Sequence, residues 1–180
     1  MPLVISAGSH SLTLPWYPGP VGERFDPAVT IGTERVLKDR DRWRLYHTGN
    51  AGYFQDKWWM TGIYLDTELG AGLYLPLGLH ADLRLGIGYL HYFSRRKTLE
   101  LEGGRYVPST DYGKPAAVFP MSLLIGYGGS RGRLTSISPF ICAKWIIQTP
   151  FSEETPAMTH LLVLGGVRIF WGDGGNGRRR

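Results

Sequence analysis

Apolar and polar residues alternate along this chain with a period of two, the signature of a half-buried strand. The pattern is cleanest from Leu79 to Phe93. There Leu79, Ala81, Leu83, Leu85, Ile87, Tyr89, His91 and Phe93 oppose His80, Asp82, Arg84, Gly86, Gly88, Leu90 and Tyr92. The same parity runs from Ile63 to Leu75, where Ile63, Leu65, Leu69, Leu73 and Leu75 face away from Tyr64, Asp66, Glu68, Gly70, Gly72 and Tyr74. Weaker versions cover Leu3 to Leu14, Ala28 to Val36, Arg42 to Phe54, Ala117 to Tyr127, Ser136 to Gln148 and Thr159 to Trp171. The pattern therefore predicts eight strands.

The links between them alternate in length. Leu37–Asp41, Pro76–Gly78 and Gly128–Arg133 are short, whereas Pro15–Phe25, Ser94–Lys114 and Thr149–Met158 are longer, with the link near Gln55 to Trp58 as the exception. In a closed meander, short turns then gather at one end with both termini, and long loops at the other. The expected fold class is all-β: a single eight-stranded antiparallel up-and-down transmembrane β-barrel over residues 1–171, followed by a flexible Gly/Arg tail at 172–180.

Alternation is shared by a soluble calycin-like barrel that binds an apolar ligand, in which the greasy stripe points inward. The composition of the polar stripe favours the opposite orientation. It holds Gly52, Gly70, Gly72, Gly86, Gly88, Gly126 and Gly166 beside Tyr46, Tyr64, Tyr74 and Tyr92. Small residues next to large ones suit a narrow lumen filled by side chains. Its charges offset each other: Glu34, Asp66, Glu68 and Asp82 against Arg42, Arg44, Arg84, Lys144 and Arg168. Ions held away from water need such partners, so these nine form the expected polar network of a closed lumen. Aromatics cluster at the strand ends, with Trp43, Tyr127 and Trp171 at the short-turn edge and Tyr53, Trp58, Trp59, Tyr89 and Phe93 at the loop edge. Two interfacial girdles would look like this.

Composition closes off other classes. Glycine is 25 of 180 residues, and the longest stretch free of Gly and Pro, Thr33 to Thr48, is sixteen residues, so helical bundles are excluded. At 43% apolar content the chain has enough to bury, so it folds. Lysine and arginine number 20 against 15 acids and are scattered among them, which is not the basic face of a nucleic-acid binder. The single Cys142 rules out an intrachain disulfide framework. The start, Met1 to His10, has no basic n-region and an apolar core too short for a signal peptide, so either export is absent or the start shown is not the precursor's.

With these features assembled, segments such as Arg44-Leu45-Tyr46-His47-Thr48-Gly49-Asn50-Ala51-Gly52-Tyr53-Phe54 and Leu83 to His91 resemble the small outer-membrane β-barrels of the OmpA/OmpX type, including those of Bacteroidota-type bacteria. The resemblance implies a bacterial outer-membrane location and contact with membrane lipid, including lipopolysaccharide. Val167 to Trp171 is similar to the terminal strand such proteins end on, although nine residues follow it.

Individual motifs add little chemistry. Gly172 to Gly177 spells G-x-G-x-x-G but opens no helix. No Walker loop, His-Glu-x-x-His or Cys-x-x-Cys occurs, so neither a cofactor nor a metal is expected. Some barrels of this size are lipid A modifying enzymes, which need a Ser, a His and an acid near the bilayer surface. His47 and His91 fall on the lipid-facing parity without a His-x-Ser arrangement, so no catalytic residue is assigned and the chain is expected to be non-enzymatic. Arg95, Arg96 and Lys97 open the longest loop and could hold lipopolysaccharide phosphates through charge-assisted hydrogen bonds. The aromatic loop of Trp16, Tyr17, Pro18, Pro20 and Phe25 could dock a protein partner or cap the barrel mouth.

Overall fold

A computed structural model describes residues 1–13, 25–95, 99–102, 105–108, 112–128, 137–150 and 157–170 of the protein. Among the described residues ten strands follow one another: β1 (Leu3–Thr13), β2 (Asp26–Asp39), β3 (Trp43–Gln55), β4 (Met60–Tyr74), β5 (Leu79–Ser94), β6 (Leu99–Glu102), β7 (Arg105–Pro108), β8 (Lys114–Tyr127), β9 (Ile137–Thr149) and β10 (Met158–Ile169). Eight close into a barrel in the order β1-β10-β9-β8-β5-β4-β3-β2, while β6 and β7 pair separately within the long loop. Every barrel strand pairs antiparallel with both neighbours, and closure is made by β1 against β10, from Leu3↔Ile169 to Thr13↔Thr159. A closed sheet has no free edge, which suits a chain surrounded by lipid; its ladders are interrupted at Leu37 of β2 and between Leu85↔Met121 and Gly88↔Val118 of β5 and β8. The tail at 172–180, Trp171 and most of the Pro15–Phe25 loop lie outside the described residues.

The eight barrel strands are 11 to 16 residues long, enough to cross hydrocarbon at a tilt. Among the described residues no helix is long and apolar enough to do so. The β4–β5 link is a tight turn at Pro76–Gly78 in which Leu77 and Gly78 both take positive φ, 63° and 78°. The short-turn end also carries the β2–β3 turn, and the loop end carries the links after β1, β3, β5 and β9.

Parity decides which face is inside. Odd-numbered side chains point outward: Leu65 is 58% exposed, Ile87 62%, Ile125 63% and Ile141 68%. Even-numbered ones are buried, among them Tyr46, Tyr64, Leu90, Glu68 and Arg168. The molecule is thus apolar outside, and a soluble barrel with its apolar stripe inward is not what this chain forms. The girdle residues Trp43, Tyr127, Trp58, Trp59, Tyr89 and Phe93 are on the outer surface near the strand ends. At the tightest points the interior packs glycine against aromatic rings: a Cβ on Gly52 would overlap the Tyr64 ring, and one on Gly70 would overlap that of Tyr46.

Candidate functional site

The interior has two parts. From the short-turn end to the middle, the lumen is occupied by charge. Asp82 Oδ2 accepts from Arg44 Nη2 at 2.7 Å, from Arg168 Nη2 at 2.9 Å and from the Tyr46 hydroxyl at 2.9 Å. Arg168 also donates from Nε to Glu34 Oε1 at 3.0 Å and from Nη1 to His80 Nε2 at 2.5 Å. Glu34 Oε1 is shared with Arg84 Nη2 at 2.9 Å, and Arg84 Nε donates to the Tyr46 hydroxyl at 2.8 Å. Arg84 then reaches Glu68 at 4.0 Å, Glu68 faces Lys144 at 3.5 Å, and Lys144 donates to Asp66 Oδ2 at 2.5 Å. Ser122 Oγ donates to Glu68 Oε1 at 2.7 Å, and Asn50 Nδ2 to Asp66 Oδ1 at 2.7 Å.

The result is one lattice of alternating sign, Arg44–Asp82–Arg168–Glu34–Arg84–Glu68–Lys144–Asp66, tying β2, β3, β4, β5, β9 and β10 together across the lumen, with β8 joined through Ser122. Even parity on each strand aims these side chains at the axis, and antiparallel register sets acids of one strand against bases of others. All eight ions are buried, Arg168 completely. Removing one partner of such a set costs roughly 3 to 5 kcal/mol, because the other charge stays behind unpaired.

Arg42 is a correction to the expected network. It lies in the β2–β3 turn, one residue before β3 begins, and is exposed. The alternation that places Arg44 inside does not extend past the last paired residue, and a guanidinium at the turn is solvated by water. Without it the lattice holds four acids and four bases.

Toward the loop end, among the described residues, the ion lattice gives way to a neutral cluster, with the buried Asp56 carboxylate held at the β3–β4 link by the Trp58 and Trp59 N–H groups at 2.8 and 2.9 Å. His160 Nε2 donates to Gln148 Oε1 at 2.9 Å, and with that proton placed its Nδ1 accepts from His10 Nε2 at 3.0 Å. The Phe54 ring stacks on His10 with centroids 4.4 Å apart and an interplanar angle of 15°. Around this group pack Leu90, Val118, Ile146 and Leu162, all at most 1% exposed. His10 Nδ1 and Gln148 Nε2 are buried without a hydrogen-bond partner. The sequence reading did not assign this cluster. Its signal was present, since all three polar residues are even-numbered on strands whose even positions face inward, but β1 alternates too weakly for His10 to stand out.

On the outer face, His47 Nε2 lies 2.6 Å from Thr67 Oγ1, and His91 bridges the Tyr89 hydroxyl at 3.0 Å and the Tyr112 carbonyl at 3.1 Å. Among the described residues no group of three or more metal-ligating side chains converges. Of the basic triplet that opens the long loop, Arg95 is exposed at the loop-end rim. There its backbone N–H donates to the Trp59 carbonyl at 3.0 Å. Arg96 and Lys97 lie outside the described residues.

Closed antiparallel topology, an apolar exterior and a polar, side-chain-filled interior together define a small transmembrane β-barrel of the outer-membrane type. Comparison with solved structures agrees on the fold. The chain is similar to the outer membrane enzyme PagL, with 9% identity over 95% of this chain and 100% of that one and a TM-score of 0.50. It is also similar to the Neisserial surface protein NspA, with 7% identity over 94% and 96% and a TM-score of 0.55. Ail, the attachment invasion locus protein of Yersinia pestis, aligns at 8% identity over 93% and 97% with a TM-score of 0.47. The chain matches no protein-family model and no curated protein sequence. The likenesses to PagL and NspA concern architecture, and the Bacteroidota side of the sequence resemblance gains no support from them.

Proposed function

We propose that the chain is a sealed, non-enzymatic barrel of the bacterial outer membrane that contacts lipopolysaccharide, and any protein partner, through its loop-end rim. One observation carries this reading: the ion lattice from Arg44 to Asp66 crosses the lumen and leaves its guanidinium and carboxylate groups buried against each other. A pore needs a continuous aqueous path, and here side chains take its place. The apolar belt of Leu65, Leu85, Ile87 and Ile141 gives the barrel its membrane, and closed barrels of this size are an outer-membrane architecture. The test is planar-bilayer recording on the refolded protein. No steady conductance is expected, and large stable openings would defeat the sealed-lumen reading.

At the rim, Arg95 stands beside the exposed Trp58 and Trp59, a basic and aromatic edge suited to phosphate-bearing lipid at the interface. Replacing Arg95, Arg96 and Lys97 with Gln should lower retention of lipopolysaccharide by the purified barrel; unchanged retention removes that contact. Mass spectrometry of lipid A from cells expressing the chain should show unaltered acylation. A changed acyl pattern would make it a lipid A modifying enzyme instead.

A further inference from the structure

The alternation of β2 breaks once. Val36 pairs with Tyr46, but the next residue to find a partner is Lys38, opposite Leu45, so Leu37 is an extra residue in a β-bulge. A bulge reverses the parity of everything beyond it. Lys38, an even-numbered residue that would otherwise point into the lumen, is turned outward, and its ammonium lies 5.5 Å from the centre of the Trp43 ring. The same reversal sends Asp39 the other way, opposite Arg44, where it accepts from the Tyr74 hydroxyl at 3.3 Å. The bulge therefore turns Lys38 and Asp39 to opposite sides of the strand, the base to the outer wall and the acid, still exposed, to the barrel mouth. Arg40 and Arg42 are exposed in the turn that follows, with Asp41 between them. Their backbones are pinned to the same place: Arg40 N–H donates to the Trp43 carbonyl at 2.9 Å, and the Arg42 carbonyl accepts from Tyr74 N–H at 3.0 Å.

Directly above this basic rim, on the lipid-facing wall, is a groove of about 620 Å³. Trp43 and Leu73 stand at its rim end, Ala71 and Ala81 form its shallow floor, and Leu83 and Leu123 continue it toward mid-membrane. Small residues between large ones leave a groove that crosses β3, β4, β5 and β8 on the outer wall, with Trp43 at its β3 end.

We propose that this surface is a binding site for one anionic diacyl phospholipid of the leaflet at the short-turn end. An acyl chain lies over Ala71 and Ala81, the glycerol region lies against Trp43, and the phosphate is held by Lys38, Arg40 and Arg42. Charge complementarity identifies the occupant: Lys38, Arg40 and Arg42 outnumber the exposed Asp39 and Asp41, of which Asp39 is opposite Arg44 at the barrel mouth, and a basic excess near a bilayer surface favours a lipid with net negative charge. The proposal rests on the membrane-barrel reading but not on the sealed lumen, so a conducting barrel would overturn the proposed function and leave this site standing.

Native mass spectrometry of the full chain released from detergent micelles, titrated with phosphatidylglycerol or phosphatidylcholine of identical acyl chains, tests it. The protein should retain one phosphatidylglycerol with an apparent affinity about tenfold above that for phosphatidylcholine, in line with the attraction of a few basic side chains to an anionic surface. The triple variant Lys38→Gln, Arg40→Gln, Arg42→Gln should bring the two lipids level. The groove-filling pair Ala71→Leu, Ala81→Leu should weaken both lipids alike and keep the preference. These five positions face lipid or solvent, and heat-modifiable gel mobility verifies that each variant folds. Equal retention of the two lipids by the unaltered protein overturns the proposal without any variant. So does a preference that survives the triple substitution, or retention that the filled groove leaves unchanged.

Discussion

The two parts of the lumen solve one packing problem with different chemistry. Below the middle, Asp82 and Glu34 each bind two arginines, and the chain of contacts runs from Arg44 to Asp66 with no uncharged side chain substituting for an ion. Toward the loops, His10, His160 and Gln148 form a short chain of neutral hydrogen bonds wrapped in Phe54, Leu90, Ile146 and Leu162. Both fill space, but their failure modes differ. An ion stripped of its partner remains charged inside the barrel, whereas a histidine or amide stripped of its partner loses one hydrogen bond and can be replaced by an apolar group. The charged part locks the barrel into one arrangement, and the neutral part tolerates substitution.

The largest separation between them should come from Arg168. Arg168→Met leaves Glu34 and Asp82 each short of a cation and His80 without its donor, and should cost about 3 to 5 kcal/mol in urea unfolding followed by gel mobility. A loss under about 1 kcal/mol would mean that water, not the lattice, holds these groups. Next come the glycines that seat the rings. Gly70→Ala drives a methyl into Tyr46 within the lattice, and Gly52→Ala does so into Tyr64 higher up; each should cost about 1 to 3 kcal/mol by the same readout. Equal losses would show that ring packing is independent of the charge beneath it.

His10→Leu should cost less than Arg168→Met, about 1 to 3 kcal/mol, because it leaves only His160 Nδ1 unpaired. The smallest effect is expected when the whole neutral cluster is replaced. His10→Leu, His160→Leu and Gln148→Leu together should leave stability within about 1 kcal/mol of the parent, since exchanging all partners for apolar groups leaves no polar side-chain atom of this cluster unsatisfied. A triple variant worse than the single would show that the cluster contributes something beyond packing.

Much of this architecture was legible in the sequence, and the reasons it was bound the reasons the rest was not. A period of two marks strand and face together, so Leu79 to Phe93 gave both the span of β5 and the inward aim of Asp82 and Arg84. Sign balance on the even stripe foretold that these ions would meet. Which acid meets which base depends on register around the closed barrel, and no local pattern encodes that Arg168 of β10 reaches Asp82 of β5 and Glu34 of β2. Parity also has no end marker, which is why Arg42 was carried into the lumen although its strand starts at Trp43. Bulges are silent for the same reason: nothing about Val36-Leu37-Lys38 announces that Lys38 will face out. The neutral half escaped notice because alternation is weak where both faces are apolar, as at Leu161 and Leu162.

The account depends most on the odd stripe facing hydrocarbon and the even stripe facing the axis. Nitroxide labels placed singly from residue 81 to residue 91, in a Cys142→Ser background and in lipid vesicles, read this position by position through collision with dissolved oxygen. The account predicts accessibility that rises at 83, 85, 87 and 89 and falls at 82, 84, 86 and 88, a strict period of two across the span of β5. A flat profile, or maxima at the even positions, would contradict it.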